Sequence, residues 1–361
     1  HAGLDLQQQI VAGAFAAGVT CILSGVLSNL PMGLVPSVGP NVFVAYSLIV
    51  TKLFSVNESL GISAAAGLLI FLISVSPILK IVLALMPLSI KYGLLVGTGL
   101  LTAFIGLKSI GVVVAASSGD IVALGDLNTL PVAVSMISLV VTASMLYNAV
   151  KGAVLLGMLG ATLVFWTASN DWPTQWISVQ SLSFHEISYA ALGSKQGWAE
   201  VGALVLMLLF SLSGAVIGSA RMAGLLREDG RVRGSTAVFV CSGLGTVLSA
   251  HLGTAPIFVS MSAAAGIRDG GRTGLVSVVI GVLSLLTAFF LSPLASAIPR
   301  CSVAPVLVLV GVSMTGEAKE IQWWNMLDAL PAFLCAVFQP FTYSVSNGIY
   351  AGVGMSMILF I

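Results

Sequence analysis

Long, nearly uninterrupted apolar stretches alternate along the chain with short polar turns. They run roughly over 9–30, 59–79, 89–115, 129–148, 152–168, 199–220, 235–250, 273–298, 302–316 and 327–342. About 20 mostly apolar residues suffice for a helix to cross a bilayer, so each stretch predicts a spanning helix. The runs are too long for barrel strands of about 10 residues, and strands are not expected. A last apolar run, 345–361, has Asn347-Gly348 near its start.

Two segments break the pattern. Residues 31–50 open with Pro31, Pro36 and Pro40, and residues 251–267 carry Pro256 near the front with small residues behind. Each reads as an extended stretch followed by a half-helix. Backbone that leaves helix geometry in lipid loses its internal hydrogen bonds and survives only where protein or a polar cavity satisfies it. Two such segments in corresponding places point to a transporter built from inverted repeats, with free helix-terminal amides near mid-depth.

Composition sharpens the class. Of 361 residues, 58% are hydrophobic and only 7% charged, against about 25% charged in a soluble domain. A water-soluble enzyme is excluded. A formal net charge of +1 gives no sign of a nucleic-acid partner, and four cysteines in apolar surroundings do not make a disulfide scaffold. The 39 glycines suit close helix packing in lipid. No Walker motif, metal-ligand cluster or nucleophile–base pair stands out, so no cofactor, ATP-driven step or enzymatic chemistry is expected. The chain begins at His1 and ends in an apolar run, so both ends read as cut.

Charge placement predicts the topology. With residues before position 9 outside and both broken segments counted as crossings, Lys80, Lys91, Lys151, Arg221, Arg227, Arg231, Arg233, Arg268, Arg272 and Lys319 fall inside. Lys52, Lys108, Lys195 and Arg300 fall outside. This obeys the positive-inside rule. Residues 169–198, with Trp172 and Trp176, then form an external linker between halves 1–168 and 199–361.

The motifs NLPMGLVPSVGPNVFVAY (29–46), FIGLKSIGVVVA (104–115), VALGDL (122–127), GGRTGL (270–275), FFLSPLASAIP (289–299), APVLVLVGVSM (304–314), ALPAFL (329–334) and QPFTYSVSNGI (339–349) resemble the AzgA-like purine permeases. These form a branch of the nucleobase–ascorbate transporter superfamily. The resemblance implies an all-α polytopic protein of seven-plus-seven inverted repeats, with core and gate domains and half-helices in segments 3 and 10. On that reading segment 1 is missing from this chain. A purine-like nucleobase is implied near the midplane between segments 3, 8 and 10, usually carried with a proton at the plasma membrane.

The chain departs from the family's pattern at the site. The segment 8 acid is Ser211, the segment 10 glutamate is Ser262, and Pro40 stands between Gly39 and Asn41 where an aliphatic residue is usual. None of the acids lies in the middle of a span, so proton coupling has no obvious carrier. His251 reads as a loop or interface histidine. The expected substrate residues are Asn41 and Phe43 on segment 3, Phe210 and Ser211 on segment 8, and Phe258, Ser260, Met261 and Ser262 on segment 10. Hydroxyls and the Asn41 amide suit the edge of a heterocycle, and the phenyl rings can stack on its face. Ser213 is a further hydroxyl on segment 8. Gln339, before Pro340, is expected to satisfy carbonyls near the proline. Arg221 to Arg233 and Arg268/Arg272 read as loop charges that fix orientation. Beyond solute and lipid, a homodimer or a larger membrane complex is compatible with the sequence. The alternative reading is a transport-inactive, transporter-derived subunit of a membrane assembly, motivated by the loss of both acids.

Overall fold

The computed structural model describes all residues except 1–5, 37–39, 42–43, 45–47, 50–53, 78, 80–86, 116–121, 151, 174, 180, 228–231, 261–262, 344 and 360–361. The expected spans are helices: α1 (Leu6–Ser28), α2 (Val56–Val75), α3 (Leu88–Ser109), α4 (Leu130–Tyr147), α5 (Ala153–Ser169), α6 (Lys195–Met222) and α7 (Ser235–His251). The short helix α8 (Ala263–Arg268) precedes α9 (Leu275–Ala297), α10 (Arg300–Thr315), α11 (Met326–Thr342) and α12 (Val345–Leu359). Seven of the described helices are long and apolar enough to cross a membrane.

Two expectations are corrected. The span 89–115 stops at Ser109, because Gly111 takes a left-handed φ of 83° that turns the chain while its composition stays apolar. Strands do occur: β1 (Gly33–Pro36), β2 (Val113–Val114), β3 (Ala123–Leu124) and β4 (Ile257–Ser260). They are extended stretches of two to four residues in two antiparallel pairs, β1 with β4 and β2 with β3. Run length argues only against a barrel of strands, not against such short pairs.

The helices pack as two bodies. In the first, α1 packs on α7 and α9, α2 packs on α6 and α7, and β1·β4 lies between. In the second, α3 packs on α10, α11 and α12, while α4 packs on α5 and α10. The contacts survive an exchange of α1 with α7, α2 with α9, α3 with α10, α4 with α11 and α5 with α12. Thus α1·α9 becomes α7·α2, and α3·α11 becomes α10·α4. Glycines mark the crossings: a Cβ on Gly67 would lie 2.9 Å from the Gly243 carbonyl, and one on Gly281 would lie 2.7 Å from that of Gly18.

The exchange leaves α6 without a counterpart among the described residues. On α2, Ile62 and Ala66 are fully buried. Val276 and Ile280, at the same spacing before their crossing glycine on α9, instead line an open groove of about 680 Å³ with Gly33, Val35 and Ser260.

The linker between α5 and α6 lies across the ends of the first body. Backbone N–H groups of Ser178, His185 and Ser188 donate to the carbonyls of Phe290 within α9, His251 at the end of α7 and Asn57 at the start of α2. Trp172 and Trp176 pack on Trp166 of α5. Ser55 and Glu58 form a capping box at the start of α2, an acid satisfied at a helix end. All four cysteines are free and buried.

Gln339 sits fully buried in α11. Its Nε2 donates to the carbonyls of Cys335 (2.9 Å) and Leu94 (3.3 Å), and its Oε1 accepts from Thr98 Oγ1 at 3.0 Å. It therefore stitches α11 to α3 beside Pro340, and Gly97 and Gly348 leave room for it. Gln339→Leu removes these bonds and is expected to lower stability by about 1–2 kcal/mol, as lost interhelical hydrogen bonds in lipid do, read as a fall in the thermal midpoint of detergent-solubilised protein.

Candidate substrate site

The two broken segments meet each other. Prolines deny the helix its amides at positions 31, 36 and 256, and Asn29 and Gly253 turn the chain with φ of 52° and 73°. Beyond these turns the two segments run side by side as an antiparallel pair, with Gly33 opposite Ser260, Leu34 opposite Val259, Val35 opposite Phe258 and Pro36 opposite Ile257. Helical conformation resumes at Pro40–Asn41 in the first segment and at Ala263 in the second.

Extended backbone at this depth needs outside partners, and the surrounding helices supply them. Cys21 Sγ of α1 accepts from Leu34 N at 3.1 Å, and Thr246 Oγ1 of α7 accepts from Ile257 N at 3.1 Å. Ser242 donates to the Ile257 carbonyl at 2.7 Å, and Ser277 of α9 donates to that of Met32 at 2.6 Å. Asn29 Oδ1 accepts from Gly274 N at 3.0 Å. Cys21 and Thr246 hold matching places on exchangeable helices, so both breaks are anchored alike. Their small polar side chains perform the satisfaction that lipid cannot.

Alternation along β4 sorts its residues. Ile257 and Val259, both fully buried, are on the face opposite to Phe258 and Ser260. Ser260 looks into the groove with Gly33 and Val35, and Phe258, 8% exposed, belongs to the main apolar core.

Helix α6 packs on β4 and α8, and on its other side meets α3 of the second body. Phe210 packs with Ile90, Leu94, Leu101, Cys335 and Ile349 of that body. Gly214 is closed over by Leu94, whose Cδ2 would lie 3.3 Å from an added Cβ. Between them, Ser213 Oγ back-bonds to the Phe210 carbonyl at 2.7 Å. Ser211 is 6% exposed, and its Oγ is buried without a hydrogen-bond partner. The orphaned hydroxyls of Ser24, Ser292 and Ser302 lie on other helices. A buried, unsatisfied donor costs free energy and awaits a partner.

Of the residues expected at the site, Phe210, Ser211, Phe258 and Ser260 are thus carried by two packed elements, α6 and β4. Asn41 is helical and exposed. Phe43, Met261 and Ser262 lie outside the described residues, as does Gly39. His251 Nδ1 contacts the Val247 carbonyl at 2.8 Å within its own helix. Sequence reasoning missed Cys21, Ser242, Thr246 and Ser277; only their small polar character at corresponding depths of the helices could have hinted at them.

The fold defines an integral, multi-pass membrane protein of the inverted-repeat transporter class. It is similar to the transmembrane domain of a cyanobacterial bicarbonate transporter, BicA, with a TM-score of 0.68 at 19% identity over 95% of this chain and 89% of that one. It is also similar to murine Slc26a9, an anion transporter in the inward-facing state, with a TM-score of 0.61 at 14% identity over 98% of this chain and 66% of that one. These likenesses concern fold alone. Residues 2–350 match the Permease family, and the chain belongs to it. Among its relatives, the guanine/hypoxanthine permease PbuO of Bacillus subtilis is 29% identical over 98% of this chain and 83% of its own length. The adenine permease AdeP of Escherichia coli is 31% identical over 97% of this chain and 79% of its own.

Proposed function

We propose that the protein carries a purine-like nucleobase across the plasma membrane by alternating access, with the solute between the broken pair, α6 and the second body. Residues 1–168 and 199–361 are read as the two repeats, joined by 169–198. The observation that carries the reading is the unpartnered Ser211 hydroxyl on α6, the helix that packs on β4, in a chain whose relatives are named purine permeases. Ser211 and Ser260 offer hydrogen bonds to the ring edge, with Asn41 and Ser262 completing the expected set. Phe43, Phe210 and Phe258, with Met261, supply apolar faces. A neutral heterocycle fits such a lining, because no carboxylate at these positions demands a cation. Without the two acids, carriage is either uncoupled or driven by another group, so symport is not part of the proposal.

Uptake of radiolabelled adenine, guanine and hypoxanthine by cells expressing the chain, with and without a pH gradient, tests this. The expected result is saturable uptake of at least one purine with weak dependence on the gradient. Absence of uptake of every purine, with the protein folded in the membrane, overturns the reading and leaves the structural-subunit alternative.

A further inference from the structure

The last turn of α6 holds an arginine that the sequence reads only as a loop charge. Arg221 Nη1 lies 3.0 Å from Glu320 Oε2, in the turn after α10, and Arg221 Nη2 donates to the hydroxyl of Tyr92 near the start of α3. The guanidinium carbon also stands 5.0 Å from the centroid of the Tyr92 ring. Arg221 belongs to the first body, while Tyr92 and Glu320 belong to the second. The planar guanidinium engages a carboxylate, a hydroxyl and a ring face at once, which a lysine would not reproduce.

The surroundings make this a device rather than a stray surface pair. Helix α6 is the element through which the first body packs on α3 and α12. Arg272, from the loop after α8, donates to the Met222 carbonyl at 2.8 Å and fixes the end of α6 that presents Arg221. At the same end, Gly152 N of the second body donates to Asp269 Oδ2 of the first at 3.0 Å. Deeper along the seam, contacts are apolar, with Leu94 against Gly214 and Phe210 among second-body side chains. The pair is partly wet, at 29% and 37% side-chain exposure. Water can therefore receive both charges when the contact opens, and the bond is weak enough to be broken and remade.

We propose that Arg221, Glu320 and Tyr92 form a latch that closes the seam between the two bodies at this end and opens once in each transport cycle. The proposal rests on the alternating-access reading and adds to it the residues that hold one closed face.

The test has one arm that needs no solute. In the full chain in membranes, Leu94→Cys places a thiol under the seam, and its reaction with a membrane-permeant maleimide is followed against the parent with its four buried cysteines. R221Q and E320Q should each speed this labelling several-fold, and the charge swap R221E/E320R should return it toward the parent rate. Unchanged labelling in E320Q overturns the latch; since Glu320 lies at an exposed turn, that variant is expected to fold even if R221Q does not. The second arm joins the bodies with R221C/E320C and a bifunctional methanethiosulfonate long enough to replace the two side chains, each thiol displacing one sulfinate to form a mixed disulfide. Purine uptake should fall to background on cross-linking and recover on reduction, and full uptake by the cross-linked protein overturns the proposal. If the parent carries no purine, the uptake reading fails, while the labelling arm still decides whether the contact holds the seam.

Discussion

Replacing Gly243 with leucine is expected to remove most of the folded protein from the membrane fraction. Its α-carbon lies where α7 crosses α2, and an added Cβ would stand 2.7 Å from Phe71 N and 2.9 Å from the Gly67 carbonyl. These are backbone atoms of a packed helix and cannot turn aside as a side-chain tip can. Overpacking a core typically costs about 1–3 kcal/mol, and here two backbones must separate, so the cost falls at or above the upper end of that range. Gly281→Leu, at the corresponding crossing of α9 with α1, should behave the same way. Gly202→Ala on α6 is the control, because nothing lies within 4 Å of its added Cβ, and it should leave the yield unchanged. Monodisperse protein recovered by fluorescence-detected size exclusion measures all three. Wild-type yield from Gly243→Leu would mean that the two helices do not approach as described.

The paired glycines also show what was legible in the chain. Apolar run length placed the helices to within a few residues, since a spanning helix must be long and apolar whatever it packs against. The two breaks were legible as well, because proline and glycine act through their own backbone. What these breaks pair with was not. Gly33 meets Ser260 across most of the chain, and no local period reports such a contact. The same holds for Arg221, which reads as a loop charge because a charge shows its partner, here Glu320, only once the bodies are assembled. The end of α3 was misplaced for a related reason: the residues after Ser109 stay apolar, and a turn made by Gly111 does not alter hydropathy. The groove against α9 and β1 is the place that the internal exchange assigns to a counterpart of α6.

Ser211 separates stability from transport, and its variants carry the proposed function. No protein group pairs with its hydroxyl, so Ser211→Ala breaks no bond within the fold and should leave the thermal midpoint unchanged or slightly raised. Uptake should nevertheless fall roughly tenfold, the equivalent of ~1.4 kcal/mol, because the same hydroxyl is the bond offered to the solute. Equal losses of stability and uptake would instead mark it as a packing residue. Ser211→Asp goes the other way. The variant restores an acid where the resemblance places one, and an acid inside a span is costly enough that it usually serves to carry a proton or an ion. Uptake by Ser211→Asp should therefore depend on an imposed pH gradient more steeply than uptake by the parent, measured as initial rates with the gradient present and collapsed by an ionophore. If the two gradient dependences are the same while both proteins carry purine, Ser211 does not lie on the path of the solute.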